Sequence, residues 1–474
     1  MGVFRSLKND DEKKTAAAGE ATVTEDAAAA DKKKSAKASA KQHYLTGKEI
    51  REIAKANSIE MRRLEKLKNR KLPESEYTTT MKDDGNILEI ENLHSYFFTD
   101  QGVVKAVDGV YFNVPLNSTV GVVGESGCGK SVTSMSVMRL LQGPTGQIVE
   151  GSIRFKAIDF KRDERGKYIP IYERDENGEL VYENVTDKKG NPRLGKDGNP
   201  IKRPRQVRDE NGIGVFEKEE KVFDIAKMPI KEMYRLRGRQ MSMVFQEPMT
   251  SLNPVFTIGN QLDEVTSLHV PGATKDFAKK RSIEMLNMVG IAMPERVYAS
   301  YPHELSGGMR QRVMIAMALA CEPRLIIADE PTTALDVTIQ AQILDLFNDL
   351  KSRINGSILL ITHDLGVIAE MADYVVVMYA GRIIEQGTVS EIFHNPCHPY
   401  TQGLQKSKPT MNSSEDQLFN IPGNVPNPVD MPANCYFKER CSQCIGKCSG
   451  EYPGMVQVSP THFVACHLYA PKED

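Results

Sequence analysis

Eight consecutive residues in the first third of the chain, GESGCGKS from Gly124 to Ser131, have the types and spacing of a phosphate-binding loop. The apolar run 118–123 before them predicts a buried strand, and 132–141 after them predicts a helix. N–H groups at the start of such a helix bind phosphate oxygens, and glycines let the backbone approach them. Lys130 would reach the β- and γ-phosphates, and Ser131 would bind Mg²⁺. The predicted nucleotide-binding residues here are Gly124, Glu125, Ser126, Gly127, Cys128, Gly129, Lys130 and Ser131.

Two acids follow a second apolar run. The sequence LIIA at 325–328 is typical of a central parallel strand, and Asp329 and Glu330 come directly after it. Asp329 can bind Mg²⁺, either directly or through water, and Glu330 is placed to act as the general base for an attacking water. Taken alone, the pair could also be two solvated acids at the end of a strand.

Four motifs in fixed order resemble those of the nucleotide-binding subunit of an ABC transporter: GESGCGKS, VFQEP at 244–248, LSGGMRQR at 305–312, and LIIADE at 325–330. LSGGMRQR discriminates most, because simple P-loop ATPases do not need it. Its Ser306, Gly307 and Gly308 open a predicted helix, whose N-terminus attracts anions. The resemblance implies that these three residues bind the γ-phosphate of an ATP molecule held by another subunit.

The same resemblance assigns further roles. Gln246 matches the residue that contacts Mg²⁺ and the attacking water, and His363 matches the histidine that contacts the γ-phosphate. Ala334–Leu335–Asp336 resembles the D-loop, which crosses the dimer interface. Phe97 is expected to stack on adenine, with Tyr96 as the alternative. The predicted catalytic residues are therefore Glu330, His363 and Gln246, and the predicted Mg²⁺ ligands are Ser131, Gln246 and Asp329.

The chain contains one phosphate-binding loop and one LSGGMRQR motif, so it cannot complete a composite ATP site alone. We expect it to pair with a second nucleotide-binding subunit, either a copy or a different chain, with the family resemblance favouring a different one. The resemblance also implies two integral-membrane permease subunits and, indirectly, a solute-binding protein. The formal net charge of −2 gives no general attraction to nucleic acid.

Cysteine is concentrated near the C-terminus, where five of the eight cysteines lie at positions 435, 441, 444, 448 and 466. In a cytosolic chain such density predicts metal binding rather than disulfides. HPYT at 398–401, IPG at 421–423 and CYFKERC at 435–441 closely resemble the ATP-binding subunits of oligopeptide and dipeptide permeases.

Position by position, that resemblance places a [4Fe–4S] cluster on Cys435, Cys441, Cys448 and Cys466. Zinc on four thiolates is the alternative, and unligated cysteines are another. Cys444 is extra, and either it or His467 could replace Cys448 or Cys466. Cys128, Cys321 and Cys397 have no predicted part in this cluster. Within the phosphate-binding loop, Cys128 is either an oxidation-sensitive thiol or simply a small residue.

The fold class predicted from these patterns is α/β. We expect an ABC-type P-loop NTPase core with an antiparallel β subdomain, a helical subdomain and a small Cys-rich C-terminal region. The predicted boundaries are a disordered extension at 1–45, a basic helix and linker at 46–84, the ATPase domain at 85–400 and the C-terminal region at 401–474. Within the ATPase domain, 156–230 reads as a charged, hairpin-like insertion that the resembling families keep short.

The basic helix has two interpretations. Nine basic and four acidic residues lie between Lys48 and Lys71, a balance that would suit an anionic membrane surface. The alternative, which we favour, is a solvated helix that packs on the domain.

The function implied by the resemblance is ATP hydrolysis that drives import of oligopeptides or dipeptides. The chain would lie at the cytoplasmic face of a bacterial cell membrane, since no run of about 18 apolar residues predicts a spanning helix. A nickel or glutathione importer of the same branch is an alternative. A non-transport ABC ATPase is a further one, although such proteins usually carry two cassettes, a long coiled coil or zinc modules.

Overall fold

The computed structural model describes residues 46–187, 190–247, 251–333, 337–407 and 419–470. The predicted disordered extension 1–45 and the D-loop 334–336 lie outside the described residues. The chain divides into two compact units, Met1–Glu52 and Ile53–Asp474. In the first unit the backbone N–H of Thr46 donates to the Glu49 carboxylate at 2.7 Å, which caps the start of a helix. The contacts that follow all lie within the second unit.

The described residues form strands of 2 to 15 residues. They are β1 (Thr78–Thr79), β2 (Asn86–Thr99), β3 (Gly102–Pro115), β4 (Thr119–Val123), β5 (Gly146–Phe160), β6 (Tyr182–Asn184), β7 (Lys202–Pro204), β8 (Lys218–Asp224), β9 (Met241–Val244), β10 (Leu325–Asp329), β11 (Ser357–Thr362), β12 (Tyr374–Tyr379), β13 (Arg382–Thr388), β14 (Val456–Gln457) and β15 (Phe463–Val464).

The helices lie mostly after the phosphate-binding loop. They are α1 (Gly47–Lys68), α2 (Lys130–Val137), α3 (Ile258–His269), α4 (Lys275–Met288), α5 (Pro294–Ala299), α6 (Gly307–Leu319), α7 (Val337–Ile354), α8 (Leu365–Met371), α9 (Val389–His394) and α10 (Pro399–Lys406).

An eight-stranded sheet forms the centre, in the order β14-β15-β13-β12-β4-β11-β10-β9. Strands β12, β4, β11, β10 and β9 are parallel, and β13, β15 and β14 extend the sheet in antiparallel fashion. Strands β4, β10 and β11 are buried along their whole length, as parallel strands covered on both faces are. The predicted α/β core is confirmed, and the carboxyl ends of β4, β9, β10 and β11 meet at one edge.

The predicted antiparallel sheet is also confirmed, with the order β1-β8-β5-β2-β3. Both ends of the segment 156–230 belong to ordered core elements. At its start β5 runs to Phe160, and near its end β8 pairs with β5 from Arg154↔Asp224 to Phe160↔Lys218. The hairpins themselves therefore lie between residues 161 and 217.

A repeated aspartate turn builds the hairpin region. In Asp163, Asp175 and Asp209, one carboxylate oxygen accepts the backbone N–H groups two and four residues ahead at 2.8–2.9 Å. Asp187 accepts the N–H of Asn191 in the same way. Each aspartate stabilises the turn of one hairpin, and a glycine with positive φ follows three residues later, as in Asp-x-x-Gly turns. The two similar segments RDENGEL at 174–180 and RDENGIG at 208–214 thus correspond to repeated hairpin tips.

Helix α2 ends four residues earlier than its apolar pattern predicted. The prediction extended it to Leu141, but Arg139 adopts a left-handed conformation with φ of 53°, which an α-helix does not continue through. The guanidinium of Arg139 donates to the carbonyl oxygens of Ile225 and Ala226, and this contact between distant segments fixes the turn.

Helix α1 packs on the antiparallel sheet. The Asn57 side chain donates to the Thr99 carbonyl at 2.7 Å, and Gln147 donates to Glu65 at 2.8 Å. Leu64, a residue of α1, is buried. These contacts agree with the packed-helix interpretation. Among the described residues, no helix combines the length and the apolar character needed to cross a bilayer.

Candidate nucleotide-binding site

The phosphate-binding loop connects β4 to α2 and lies against two strands. Gly129 has a φ of +103°, and a Cβ there would come within 2.2 Å of the Ala106 carbonyl oxygen in β3. A Cβ on Gly124 would lie 2.3 Å from the Met378 carbonyl oxygen in β12. Close packing on both sides therefore requires glycine at these positions, as the motif predicted.

Lys130 holds its ammonium inside the loop. Its Nζ donates to the carbonyl oxygens of Gly124 at 2.8 Å and Glu125 at 3.0 Å, and the side chain is buried. A buried cation surrounded by loop backbone, at the start of α2, is an arrangement that favours a polyphosphate.

Ser131 and Asp329 form an oxygen-rich contact across two elements. The Ser131 hydroxyl donates to one carboxylate oxygen of Asp329 at 2.9 Å, and Ser134 donates to the other at 3.2 Å. Burial raises the pKa of Asp329 above its ordinary value, although the two hydroxyl hydrogen bonds act in the opposite direction. Hydroxyl and carboxylate oxygens suit Mg²⁺, so the donors fit the predicted ion. Sequence reasoning missed Ser134, although a second hydroxyl three residues after Ser131 on one helix was a readable signal.

Two of the three predicted catalytic side chains, Gln246 and His363, converge on the third, Glu330. The Gln246 amide donates to Glu330 Oε2 at 2.7 Å, and His363 Nδ1 lies 3.3 Å from Glu330 Oε1. The Thr333 hydroxyl also donates to Glu330, at 3.0 Å. Glu330 itself has a φ of 48°, a conformation that non-glycine residues seldom adopt and that clusters at functional sites. Residues from the ends of β9, β10 and β11 thus surround one carboxylate.

Ser306 lies at the N-terminus of α6 and is exposed, as is Gly307. The Ser306 hydroxyl accepts the backbone N–H of Met309 at 3.3 Å, which is an N-cap. A Cβ on Gly307 would meet nothing within 4 Å, whereas one on Gly308 would meet Ile339 of α7 at 3.5 Å. The LSGGMRQR motif therefore presents a capped, open helix end to solvent.

Phe97 and Tyr96 both lie on β2 but differ in their contacts. Phe97 pairs with Val104 of β3 and Gly146 of β5 and is half-buried. The Tyr96 hydroxyl donates to Asp108 at 2.7 Å, and burial raises the pKa of Tyr96. Asp108 also accepts from Arg382, so Tyr96 belongs to a polar network and Phe97 does not.

Cys128 is fully buried, and burial raises the pKa of its thiol. A thiol that is both inaccessible and protonated is a poor target for oxidation. Of the two interpretations left open by the sequence, the geometry favours a small buried residue.

The C-terminal cysteines gather in one region. Cys448 and Cys466 are buried, Cys435 and Cys441 are half-buried, and Cys444 is exposed, all as free thiols. The Cys435 backbone N–H donates to the Cys448 carbonyl at 3.2 Å. The pKa of Cys435 is raised to about 11, mainly by burial and in part by the neighbouring thiols of Cys448, Cys466 and Cys441. The four predicted ligands are thus neighbours, and the exposed thiol of Cys444 lies against Cys448.

The spacing of these thiols bears on the choice of metal. Among the described residues, the potential ligand atoms that all lie within 4.8 Å of one another belong to Glu385, Cys397 and His462, not to any three C-terminal cysteines. Tetrahedral zinc would need sulfurs about 3.8 Å apart. Four thiolates are a donor set that suits a four-iron cluster as well as a zinc ion.

Glu385 is the centre of a buried hydrogen-bond network. The carboxylate accepts the backbone N–H groups of Cys397 at 2.6 Å and His398 at 2.9 Å, and His462 Nε2 lies 2.8 Å away. Cys397, which has no predicted role, packs against Cys466. The Glu385 network therefore holds the C-terminal segment in place near Cys466, one of the predicted cluster ligands.

Two C-terminal side chains reach the phosphate-binding loop. Arg440 donates two hydrogen bonds to the Glu125 carboxylate, and the Tyr400 hydroxyl accepts the Glu125 backbone N–H at 2.8 Å. Sequence reasoning assigned Glu125 to the loop but missed both partners, which lie 275 and 315 residues further along the chain.

Comparison with known proteins agrees with this geometry. The family model described as "ABC transporter" matches residues 213–333, and the one described as "Oligopeptide/dipeptide transporter, C-terminal region" matches 384–448. The oligopeptide transport ATP-binding protein AppD of Bacillus subtilis is 42% identical over 383 residues, covering 81% of this chain and 97% of that protein. OppD of the same organism is 44% identical over 386 residues, covering 81% of this chain and 89% of that protein.

Among solved structures, the dimeric ATP-binding cassette MJ0796 bound to ADP and Pi has a TM-score of 0.45 and 21% identity, covering 64% of this chain and 98% of that one. This similarity is too distant to add to the assignment. The relatives decide it, since identity above 40% extends over most of their length. The chain belongs to the ABC ATPases, in the family of oligopeptide and dipeptide transport ATP-binding proteins.

Proposed function

We propose that this chain is the ATP-hydrolysing subunit of an importer for oligopeptides or dipeptides, at the cytoplasmic face of the cell membrane. The observation that carries the proposal is the convergence of Gln246 and His363 on Glu330, at the sheet edge that also presents Asp329 and the phosphate-binding loop. The names of the relatives, which are transport proteins for oligopeptides and dipeptides, support the substrate class.

ATP binding uses the loop and its lysine. The loop N–H groups and Lys130 hold the phosphates, and Phe97 stacks on the adenine. Ser131, Gln246 and Asp329 would hold Mg²⁺, which would neutralise negative charge on the phosphates. Glu330 takes a proton from the attacking water, while Gln246 and His363 orient that water and the γ-phosphate.

Assembly completes the site. The exposed N-terminus of α6, with Ser306, Gly307 and Gly308, binds the γ-phosphate of an ATP molecule held by a second nucleotide-binding subunit. Two bound ATP molecules close the pair, and closure switches two membrane subunits so that a solute-binding protein can deliver its peptide. Hydrolysis then reopens the pair. In this account residues 85–400 form the ATPase domain and 401–474 form the C-terminal permease-type region.

The C-terminal region holds a [4Fe–4S] cluster on Cys435, Cys441, Cys448 and Cys466. The four thiols are buried or half-buried and lie near one another, which supports this ligand set. When bound, the cluster would link four separate chain positions and could exchange one electron.

Iron, acid-labile sulfide and zinc in anaerobically purified protein test the cluster. We expect about four irons and matching sulfide per chain, lost in Cys435→Ser and Cys466→Ser and kept in the matched control Cys444→Ser. Stoichiometric zinc without iron, or iron loss only in Cys444→Ser, would contradict this ligand set.

Uptake in cells that lack this chain tests the transport function. Accumulation of a labelled oligopeptide should fall to background, and should return with the wild-type chain but not with Glu330→Gln. Nickel and glutathione uptake are measured in the same strains. Normal peptide uptake together with lost nickel or glutathione uptake would move the chain to the alternative importer, and three unchanged uptakes would remove the transport function.

A further inference from the structure

One ion pair joins the phosphate-binding loop to the Cys-rich segment. The two terminal nitrogens of Arg440 donate to the two carboxylate oxygens of Glu125 at 2.7 and 2.9 Å. This paired geometry is the strongest form of an arginine–carboxylate contact. The Arg440 side chain is 6% exposed and that of Glu125 is 27% exposed, so the pair is largely shielded from solvent.

Arg440 is held in place from its other sides. Its Nε donates to the Pro422 carbonyl at 2.9 Å, and a terminal nitrogen donates to the Tyr379 hydroxyl at 3.3 Å. The guanidinium carbon lies 5.7 Å from the Tyr379 ring centre and 5.9 Å from that of Phe437. Among the described residues this cation has one carboxylate partner, and its other contacts fix the positive charge at a constant position.

Glu125 is the one acidic residue in GESGCGKS. Its carbonyl oxygen lies 3.0 Å from Lys130 Nζ, the group that would meet the phosphates. An uncompensated carboxylate in this loop would repel polyphosphate. The loop therefore carries a charge of the wrong sign for its ligand.

We propose that Arg440 is a positioning residue of the ATP site. It neutralises Glu125 and holds it away from Lys130, so that the loop keeps a net positive charge toward phosphate. The inference rests on the phosphate site proposed above.

Because Arg440 and Glu125 carry opposite charges, the proposal predicts that removing one charge and removing the other change ATP affinity in opposite directions. The affinity of the full chain for MgATP is measured by calorimetry at low and high salt. Arg440→Gln should weaken binding roughly tenfold or more at low salt. The loss should be smaller at high salt, because salt screens the repulsion between the phosphates and the uncompensated Glu125 carboxylate, whose side chain is 27% exposed. Arg440→Lys should retain part of the affinity. Glu125→Gln should bind ATP more tightly than the wild type, because it removes a negative charge from the loop while Arg440 keeps its positive charge.

The double variant separates charge from structure. Because removal of the carboxylate leaves nothing to neutralise, Arg440→Gln combined with Glu125→Gln should bind nearly as well as the wild type. If the double variant is as weak as Arg440→Gln, the contact is only a structural brace and the proposal fails. It also fails if Glu125→Gln weakens binding, a result that does not depend on whether Arg440→Gln folds.

Two further variants show which proposal has failed. Lys130→Ala should lose ATP binding, and Glu370→Gln, an exposed residue of α8, should leave it unchanged. If Lys130→Ala binds normally, the phosphate site itself is wrong. If Lys130→Ala loses ATP while Arg440→Gln keeps it, the site stands and only the role of Arg440 is lost.

Discussion

At the scale of single residues, the site is organised around one carboxylate with an unusual backbone. Glu330 combines a positive φ with contacts to Gln246, His363 and Thr333. Backbone strain of this kind persists only where the surroundings enforce it, and it then fixes the direction of the side chain. In the proposed mechanism this carboxylate takes a proton from a water that Gln246 and His363 orient.

Glu330→Gln should separate ATP binding from hydrolysis. The amide keeps the shape and can still contact the neighbouring side chains, but it cannot accept the proton. We expect MgATP affinity within about twofold of the wild type and a hydrolysis rate reduced about 10²- to 10⁴-fold. Calorimetry and phosphate release measure the two quantities.

The matched control is Glu370→Gln, which makes the same change on an exposed part of α8. It should match the wild type in both assays. A Glu330→Gln chain that hydrolyses ATP at the wild-type rate would show that the base is another group.

The sequence was informative about site residues where a motif carries them. Lys130, Ser131 and Glu330 come from short patterns whose chemistry depends on immediate neighbours. Arg440 and Tyr400 could not be placed in the same way, because their contacts with Glu125 depend on how the chain end folds back over the loop.

At the scale of elements, the loop is shaped by what lies behind it. β3 and β12 approach Gly129 and Gly124 so closely that side chains would collide with backbone oxygens. The pattern of apolar runs predicted the parallel strands well, because each is buried on both faces. It predicted the end of α2 poorly, because the left-handed Arg139 there depends on carbonyls from a distant segment.

Two glycines of one loop make a matched test of this packing. Gly129→Ala combines left-handed strain with a backbone collision, whereas Gly127→Ala has φ of +79° and nothing within 4 Å. Strain alone costs roughly 1–2 kcal/mol, and overpacking adds roughly 1–3 kcal/mol. Chemical denaturation should therefore show a distinctly larger loss of unfolding free energy for Gly129→Ala. Equal losses would mean that β3 does not constrain the loop.

Helix α10 carries a pH-dependent contribution to stability. Its N-cap, His398, is buried and accepts the Tyr400 backbone N–H through Nδ1 at 3.0 Å. Burial lowers the pKa of His398 to about 4 from 6.5, although nearby Glu385 acts in the opposite direction. A lowered histidine pKa means that the folded state favours the neutral form. The contribution of His398 to the free energy of unfolding is therefore complete above about pH 6.5 and is lost as pH falls toward 4.

Unfolding free energy measured between pH 7 and 4 tests this. The wild type should lose on the order of 3 kcal/mol more over this range than His398→Asn, which can still cap the helix but does not titrate. Parallel pH profiles for the two proteins would show that His398 does not titrate on unfolding.

At the scale of the whole molecule, the proposed mechanism gives this chain two half-sites, each for a different ATP molecule. The phosphate-binding loop and Glu330 form one, and the exposed N-terminus of α6 forms the other. The antiparallel sheet, the parallel core and the chain end all contribute to the first half-site, whereas the second requires a molecule from outside. That division makes assembly a condition of hydrolysis in the proposed mechanism.

Ser306→Arg should therefore affect hydrolysis but not binding. The substitution fills the open helix end, and leaves the phosphate-binding loop untouched. MgATP affinity of the chain should stay within about twofold, while hydrolysis by the assembled transporter should fall at least 10²-fold, as for loss of other groups that bind transition-state charge. Ser352→Arg, on an exposed part of α7, is the control. A loss of ATP affinity in Ser306→Arg would place this residue in the chain's own site.

The most direct test of the account is ATP hydrolysis by the assembly that copurifies from native membranes with a tag on this chain. It is measured in proteoliposomes with and without peptide-loaded solute-binding protein. We predict that peptide stimulates hydrolysis severalfold in the wild type and in Glu370→Gln, and that Glu330→Gln abolishes it. Hydrolysis that is indifferent to peptide, or that persists in Glu330→Gln, would contradict the claim that Glu330 of this chain powers peptide import.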